Sequence, residues 1–228
     1  MMPFSTVQRA IETAGLAVRG AFHPTPADGV PEVRPGQATV TLVLVGMIGR
    51  AQWPAFRGSP ESADGQPNPL DRWGHRLLED LADAFDAFPL EPFGGPPWWP
   101  FQRWAVRAES LHVSPLGLLI HAEHGLWHSY RGALAFAEAL DLPARQDSAS
   151  PCDTCATRPC LHACPVSAHA SGGFAPASCA NYLRTPAGED CLTGACAARR
   201  ACPIGQHHLQ GPDQARFHLS AFVRSTPA

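Results

Sequence analysis

The chain has 228 residues, of which 45% are hydrophobic and only 16% are charged, enough apolar material for one packed domain with a small appendage. Its formal net charge is −3, and it contains no lysine and no basic tract, so we expect no nucleic-acid partner. The N-terminal residues do not show the charged segment followed by an apolar segment that is typical of a secretion signal. The longest apolar run, 40–48, is too short to cross a bilayer. We expect a cytoplasmic protein without a membrane segment.

The first 143 residues hold all six tryptophans and no cysteine, and their patterns predict an α/β (α+β) sheet domain. A β-branched, apolar run predicts a buried strand, and apolar residues that recur at helical spacing predict a long helix. In chain order we predict a helix over 6–16, a strand over 38–45 and a turn at Gly46 and Gly49. A helix over 69–88, a proline-rich loop over 89–100 and a helix over 101–109 are predicted next. Two later elements are predicted over 116–120 and 126–137, separated by a turn at His124 and Gly125.

A polar segment over 143–151, with the sequence PARQDSASP, separates this region from the part of the chain that carries the cysteines. We therefore predict a sheet domain over 1–143, a small loop-rich domain over 150–210 and a C-terminal tail over 211–228. Clustered cysteines in a reducing compartment are metal ligands more often than disulfides, so the second domain is the candidate metal-binding part.

All eight cysteines lie between Cys152 and Cys202. The first four follow the pattern Cys-x2-Cys-x4-Cys-x3-Cys-Pro, and the last three follow Cys-x4-Cys-x5-Cys-Pro. A cubane [4Fe–4S] cluster needs four thiolates, so eight cysteines suit two clusters with none left over. In two-cluster ferredoxins the fourth cysteine of each run ligates the other cluster. That rule gives one set of Cys152, Cys155, Cys160 and Cys202 and a second set of Cys164, Cys179, Cys191 and Cys196.

Zinc is the main alternative, because two four-cysteine zinc sites would use the same eight ligands. Zinc ribbons usually show two matched CxxC knuckles, whereas this chain has one, and its twin Cys-Pro ends favour clusters. The spacings are looser than in the ferredoxin run, so a single cluster also stays open.

The cysteine segment resembles the two-cluster module of epoxyqueuosine reductases and reductive dehalogenases. The matching residues are CDTCATRPCLHACPVSA from Cys152, CANYLRT from Cys179 and the distal Cys-Pro at Cys202. The order of the cysteines matches one for one. The resemblance implies a ferredoxin-like module in which two [4Fe–4S] clusters transfer electrons.

The stretch just upstream, LGLLIHAEHGLWHSYRGALAFAEALDLP from Leu116, is similar to the segment before that module in epoxyqueuosine reductase. It also resembles the I-H-x-x-x-G-x-W-x-x-x-R-G stretch of the CblC vitamin B12 trafficking proteins. The matching positions are Ile120, His121, Gly125, Trp127, Arg131 and Gly132. This resemblance implies a nitroreductase-like or CblC-like sheet domain with a corrinoid pocket, in which the clusters would pass single electrons to the cobalt of a bound cobalamin.

Six side chains are the candidates for contact with such a cofactor: Trp98, Trp99, His121, His124, Trp127 and Arg131. The tryptophans would form a flat apolar wall, the histidines would contact the corrinoid or ligate its cobalt, and Arg131 would pair with a polar substituent. Each also has a structural interpretation, as core, turn or ion-pair residue. Arg199 and Arg200 lie next to Cys202 in the sequence and would offset the negative charge of a cluster.

The chain departs from the epoxyqueuosine reductases in three respects. It has Pro96-Pro97-Trp98-Trp99-Pro100 where they carry a catalytic aspartate, so a general acid is missing. It shows no counterpart of their tRNA-binding helical-repeat tail, so we expect no tRNA substrate. If this chain is a cobalamin-free relative of these proteins, its proline- and tryptophan-rich loop would fill the corrinoid pocket.

Three functions follow as hypotheses. The first is an iron–sulfur oxidoreductase that reduces or processes a corrinoid. The second is a ferredoxin-like electron carrier with a vestigial, cobalamin-free upstream domain and a redox protein as partner. The third is a zinc-stabilised interaction module without a redox role.

Overall fold

The computed structural model describes residues 2–93, 95–170 and 173–227 and has a mixed α+β fold. The helices are α1 (Phe4–Thr13), α2 (Trp53–Arg57), α3 (Pro69–Phe85), α4 (Phe101–Ala108), α5 (Pro176–Leu183), α6 (Glu189–Gly194), α7 (Ala197–Arg200) and α8 (Pro212–Ser225). The strands are β1 (Ala17–Phe22), β2 (Thr41–Ile48), β3 (Phe88–Leu90), β4 (Leu111–Val113), β5 (Leu119–His121), β6 (His128–Phe136), β7 (His169–Ala170) and β8 (Gly173–Phe174). Short 3-10 helices cover Pro26–Asp28, Pro60–Ser62, Pro159–Leu161, Pro186–Gly188 and Gln206–His208.

Among the residues that the structure describes, none of the helices has both the length and the apolar character that crossing a membrane requires.

The chain forms two compact units whose limits differ from the predicted domain boundaries. The first unit comprises Met1–Ser110 and Ser129–Asp147, and the second comprises Leu111–His128 and Ser148–Ala228. The hairpin of β4 and β5 therefore belongs with the cysteines, because Leu116 and Ile120 pack against Cys160 and Cys202. The segment predicted as a tail over 211–228 contains helix α8 of the same unit.

The first unit is built on a four-stranded sheet in the order β1-β2-β6-β3. Strands β1 and β2 pair antiparallel, as do β3 and β6. Strands β2 and β6 also run in opposite directions, since Val40 bonds to the carbonyl of Phe136 while Gly46 lies against the carbonyl of Ser129. Seven of the eight residues of β2 are buried, which places this strand at the centre of the core.

The predicted helices of the first unit are confirmed, and their apolar faces cover the sheet. Helix α1 packs on β1, and α4 packs on β1 and β2. Four of the five periodic apolar residues of α3 are buried, namely Leu70, Trp73, Leu77 and Leu81, and Phe85 at the helix end is half-buried. In α4, Trp104 is fully buried and its indole N–H donates to the carbonyl of Asp28 at 2.8 Å.

Two local predictions were wrong or incomplete in this unit. Gly46, predicted as a turn, lies inside β2, and the turn begins only at Gly49. Strand β1 was not predicted, because Arg19 and Gly20 interrupt its apolar run. The strand forms nevertheless, because the guanidinium of Arg19 finds a buried partner.

The second unit consists of short elements. Strands β4 and β5 pair antiparallel, with Leu111 opposite His121 and Val113 opposite Leu119. Helix α8 packs against α5 and α6, and α6 contacts α7. The unit therefore has no large sheet among its described residues, and the cysteine segments form much of its apolar interior.

An ion pair lies inside the first unit. Arg19 is 0% exposed, and its Nη2 donates to Glu109 Oε2 at 2.7 Å. The Tyr130 hydroxyl donates to the same carboxylate oxygen at 2.9 Å. Burial, together with the charge of Glu109, raises the pKa of Tyr130 above its usual range, so the phenol stays a donor. A buried guanidinium without its anion is strongly unfavourable, and Glu109 is therefore a structural requirement.

We expect Glu109→Gln to lower the free energy of unfolding by about 3–5 kcal/mol, because it leaves the buried charge of Arg19 uncompensated. Urea unfolding followed by tryptophan emission measures this change, since five of the six tryptophans lie in the first unit.

The matched control is Asp86→Asn, which removes the acidic partner of the exposed Arg34 and should change the unfolding free energy little. Equal destabilisation by the two variants would contradict a special role for the buried pair.

Candidate metal centre

Four cysteines of the second unit line one cavity. Cys152 and Cys155 lie on turns, Cys160 lies in the 3-10 helix Pro159–Leu161, and Cys202 follows α7. The other lining residues are mostly apolar: Ser114, Pro115, Ile120, Leu126, Pro151, Arg158, Pro159, Pro203 and Ile204. These cysteines are the ones that the ferredoxin rule assigned to one set.

The pKa values of this group show how the thiols affect one another. Burial raises the pKa of Cys160, and Cys202, Cys152 and Cys155 raise it further. Burial also raises the pKa of Cys202, to which Cys152 and Cys155 add. Four thiolates in this apolar cavity would repel one another, so only a bound cation or metal cluster makes their joint ionisation favourable.

The other four cysteines form a second group in the same unit. Cys179 lies in α5, Cys191 in α6, and Cys196 directly before α7. Burial, followed by the charges of Cys196, Cys164 and Cys191, raises the pKa of Cys179 to about 11. These four again correspond to one predicted set.

The Cys164 sulfur receives a backbone donor, the Ala168 N–H, at 3.2 Å. Backbone N–H groups that point at sulfur stabilise a thiolate over a thiol. All eight cysteines are free, and no disulfide joins them. The disulfide alternative is therefore not what the structure shows.

Arg199 lies beside the second group. Its guanidinium carbon is 4.3 Å from the centroid of Trp127, and its Nη2 donates to the carbonyl of Leu126. Its Nε is buried without a hydrogen-bond partner among the described residues. Burial lowers the pKa of Arg199, and Cys196 opposes that shift. A half-buried cation with a buried, unpaired Nε fits a negatively charged group held by Cys196 and its neighbours.

Arg200 acts on the other side of the same group. It donates to the Asp190 carboxylate, and its charge lowers the pKa of Cys191, although burial raises that pKa by more. The two arginines therefore supply positive charge next to thiols that would otherwise stay protonated. The sequence analysis placed these arginines next to Cys202, whereas the structure places them beside Cys196 and Cys191 of the second group.

A larger cavity of about 680 Å³ borders the second group. Cys179, Cys196 and Arg199 line it together with His169 and Phe222. The residues from α8 were missed by the sequence analysis, which treated that segment as a tail. The apolar spacing of Ala215, Leu219 and Phe222 was the signal that would have predicted a helix there.

The turn between β5 and β6 is pressed against the chain that follows Cys202. An ideal Cβ on Gly125 would lie 2.2 Å from the carbonyl oxygen of Ile204. One on Gly205 would lie 2.3 Å from the carbonyl oxygen of His124. Both glycines have positive φ, and only residues without a side chain allow this approach.

The six predicted cofactor contacts are divided between the two units. In the second unit, Trp127 is 1% exposed and its ring packs against Arg199. These contacts support its structural interpretation as a core residue. His121 and His124 are half-buried, with their ring centroids 4.2 Å apart.

In the first unit, Trp98 is 69% exposed, and Trp99 stacks on Trp104 at 6.2 Å. Arg131 pairs with Asp71 at 3.1 Å, so a structural ion pair accounts for it. The corrinoid interpretation of these three residues stays a prediction.

No family model matches the sequence, and no curated protein matches it. Among solved structures, epoxyqueuosine reductase from Streptococcus thermophilus is similar, with a TM-score of 0.50 and 15% sequence identity. The match covers 90% of this chain and 67% of that chain. At this level of identity the likeness concerns the fold.

We expect Gly125→Ala to lower the apparent midpoint of thermal unfolding, because the new Cβ collides with the Ile204 carbonyl. Gly117→Ala is the matched control, since Gly117 also has positive φ but nothing lies within 4 Å of its Cβ position. The left-handed conformation alone costs about 1–2 kcal/mol, or roughly 2–8 °C. Equal effects of the two variants would contradict the close contact.

Proposed function

We propose that this protein is an iron–sulfur redox protein that holds two [4Fe–4S] clusters in its second unit. Cys152, Cys155, Cys160 and Cys202 would ligate one cluster. Cys164, Cys179, Cys191 and Cys196 would ligate the other. The observation that carries the proposal is the division of eight free cysteines into two groups of four. Burial, followed by the charges of the other cysteines of its group, raises the pKa of Cys160 in the first group and of Cys179 in the second.

The single CxxC and the twin Cys-Pro ends of the sequence favour iron clusters over zinc. Arg199 beside the second group suits a centre with a net charge of about −2, which an oxidised cubane and a four-cysteine zinc site would both carry. The fold similarity to an epoxyqueuosine reductase and the one-for-one order of the cysteines point the same way. When bound, such clusters supply one-electron transfer.

The chain's own residues would position and tune these clusters. The cysteine segments are short and are held by turns, 3-10 helices and the short helices α5, α6 and α7, which would fix the ligands from several directions. Arg199 and Arg200 would raise the reduction potential of the second cluster by offsetting its charge. A redox protein is the proposed partner, because no substrate-binding carboxylate or nucleotide motif accompanies the cysteines in the sequence.

A corrinoid reductase or B12-processing protein is the second candidate. The resemblance of the 116–143 stretch to CblC and epoxyqueuosine reductase favours it, as does the fold similarity. Trp127 and Arg131 do not add support, since each has a structural partner. We therefore prefer the electron carrier without cobalt to the corrinoid reductase, because it requires no cofactor beyond the clusters.

The ligand assignment predicts the iron content of cysteine variants. Anaerobically purified protein should contain about eight iron atoms per chain and show a broad visible band that dithionite bleaches. Cys155→Ser and Cys196→Ser should each reduce iron by about half, and the double variant should lose nearly all of it.

The control is His162→Ala, which changes an exposed side chain between Cys160 and Cys164 and should leave iron unchanged. An unchanged iron content in Cys155→Ser would contradict the assignment, and colourless protein that contains zinc would contradict the redox function.

Hydroxocobalamin titration distinguishes the two candidates. Tight binding with a spectral change to the base-off form is expected of a corrinoid reductase, and an unchanged spectrum is expected of an electron carrier. Lower affinity in His121→Gln and Trp98→Ala would assign the contact to the predicted residues. Bound cobalamin with unchanged affinity in both variants would contradict that assignment.

A further inference from the structure

A cluster of metal-binding side chains without cysteine lies on the second unit. Glu123 and His124 are on the turn after β5, and His208 ends the 3-10 helix Gln206–His208. One ligand atom from each of these residues lies within 4.8 Å of the other two. We propose that Glu123, His124 and His208 bind a divalent transition-metal ion, with Zn²⁺ as the best fit.

The distance between the two histidines supports this proposal. His124 Nδ1 and His208 Nε2 are 3.3 Å apart. Two imidazole nitrogens on a tetrahedral zinc ion, each about 2.0–2.1 Å from the metal, are separated by about 3.3–3.4 Å. The rings meet at 89°, so they approach edge to face and do not stack on each other. The ligand nitrogens are thus already at the separation that one ion requires.

The chemistry of the three side chains also fits zinc. Two neutral imidazoles and one carboxylate form the His₂Glu ligand set of zinc sites that keep a fourth position for water or another ligand. Glu123 is exposed and both histidines are half-buried, so an ion from solvent can reach them. The carboxylate supplies the negative charge that a divalent ion needs.

Neighbouring groups hold the ligands in place. His121 Nδ1 accepts the backbone N–H groups of Glu123 and His124, both at 3.1 Å. Its ring is 4.2 Å from that of His124 and nearly parallel to it. The contact between Gly125 and Ile204 fixes the turn against the segment that leads to His208. Support of this kind orients metal ligands and increases affinity.

The ion would connect the turn after β5 to the segment that follows Cys202. It would therefore link two sides of the cavity formed by the first cysteine group, since Ile120 and Ile204 both line that cavity. The site uses no cysteine, so it stands or fails separately from the cluster proposal.

The experiment uses the full chain, purified anaerobically and dialysed against buffers of fixed free Zn²⁺ at pH 7.5. We expect one additional zinc per chain by elemental analysis, with iron unchanged. X-ray absorption at the zinc edge should show nitrogen and oxygen ligands at about 2.0–2.1 Å and no sulfur at about 2.3 Å.

Variants test the ligand set. His208→Ala should weaken Zn²⁺ binding about 100-fold or more because it removes a ligand, and Glu123→Gln on the order of tenfold because it removes the negative charge of the ligand. His207→Ala, an exposed neighbour on the same 3-10 helix, should bind as the wild type does. Undiminished zinc in His208→Ala, equal loss in His207→Ala, or no zinc uptake would each overturn the proposal.

Discussion

The crowding of eight thiols into a small apolar unit is the constraint on which the rest of this structure depends. Thiols near one another and out of water resist ionisation, as the raised pKa values of Cys160 and Cys179 illustrate. A chain gains little from gathering such groups unless a metal centre replaces their protons. The absence of disulfides among these eight residues leaves every sulfur available for that purpose.

The protein meets this constraint with positive charge and close backbone packing. Arg199 is half-buried, packs on Trp127 and lies near Cys196, so negative charge nearby would offset the cost of its desolvation. The turn at Gly125 lies against Ile204, which brings the hairpin of β4 and β5 onto the segment that carries Cys202. That contact explains why the hairpin belongs to the cysteine unit, and the same contact places His124 next to His208.

Much of the fold could be predicted because its signals are local. The helix over 69–88 appears as α3, since its apolar residues repeat with the period of a helix and all face the core. Strand β1 could not be predicted, because a buried arginine in a strand is explained only by Glu109, 90 residues away. Helix α8 was treated as a tail, although its apolar spacing matched the face that packs on α5 and α6.

The sequence by itself determined the number, order and spacing of the eight cysteines and predicted them as metal ligands, because soft thiolates at short spacing need no tertiary context to indicate iron or zinc. Tertiary structure alone decided which side chains meet across long separations. The hydrogen bond from Arg199 to the carbonyl of Leu126 joins residues 73 positions apart in the sequence. The contact between His124 and His208 joins residues 84 positions apart. Local patterns carry no information about such contacts, since they arise from how separate segments pack.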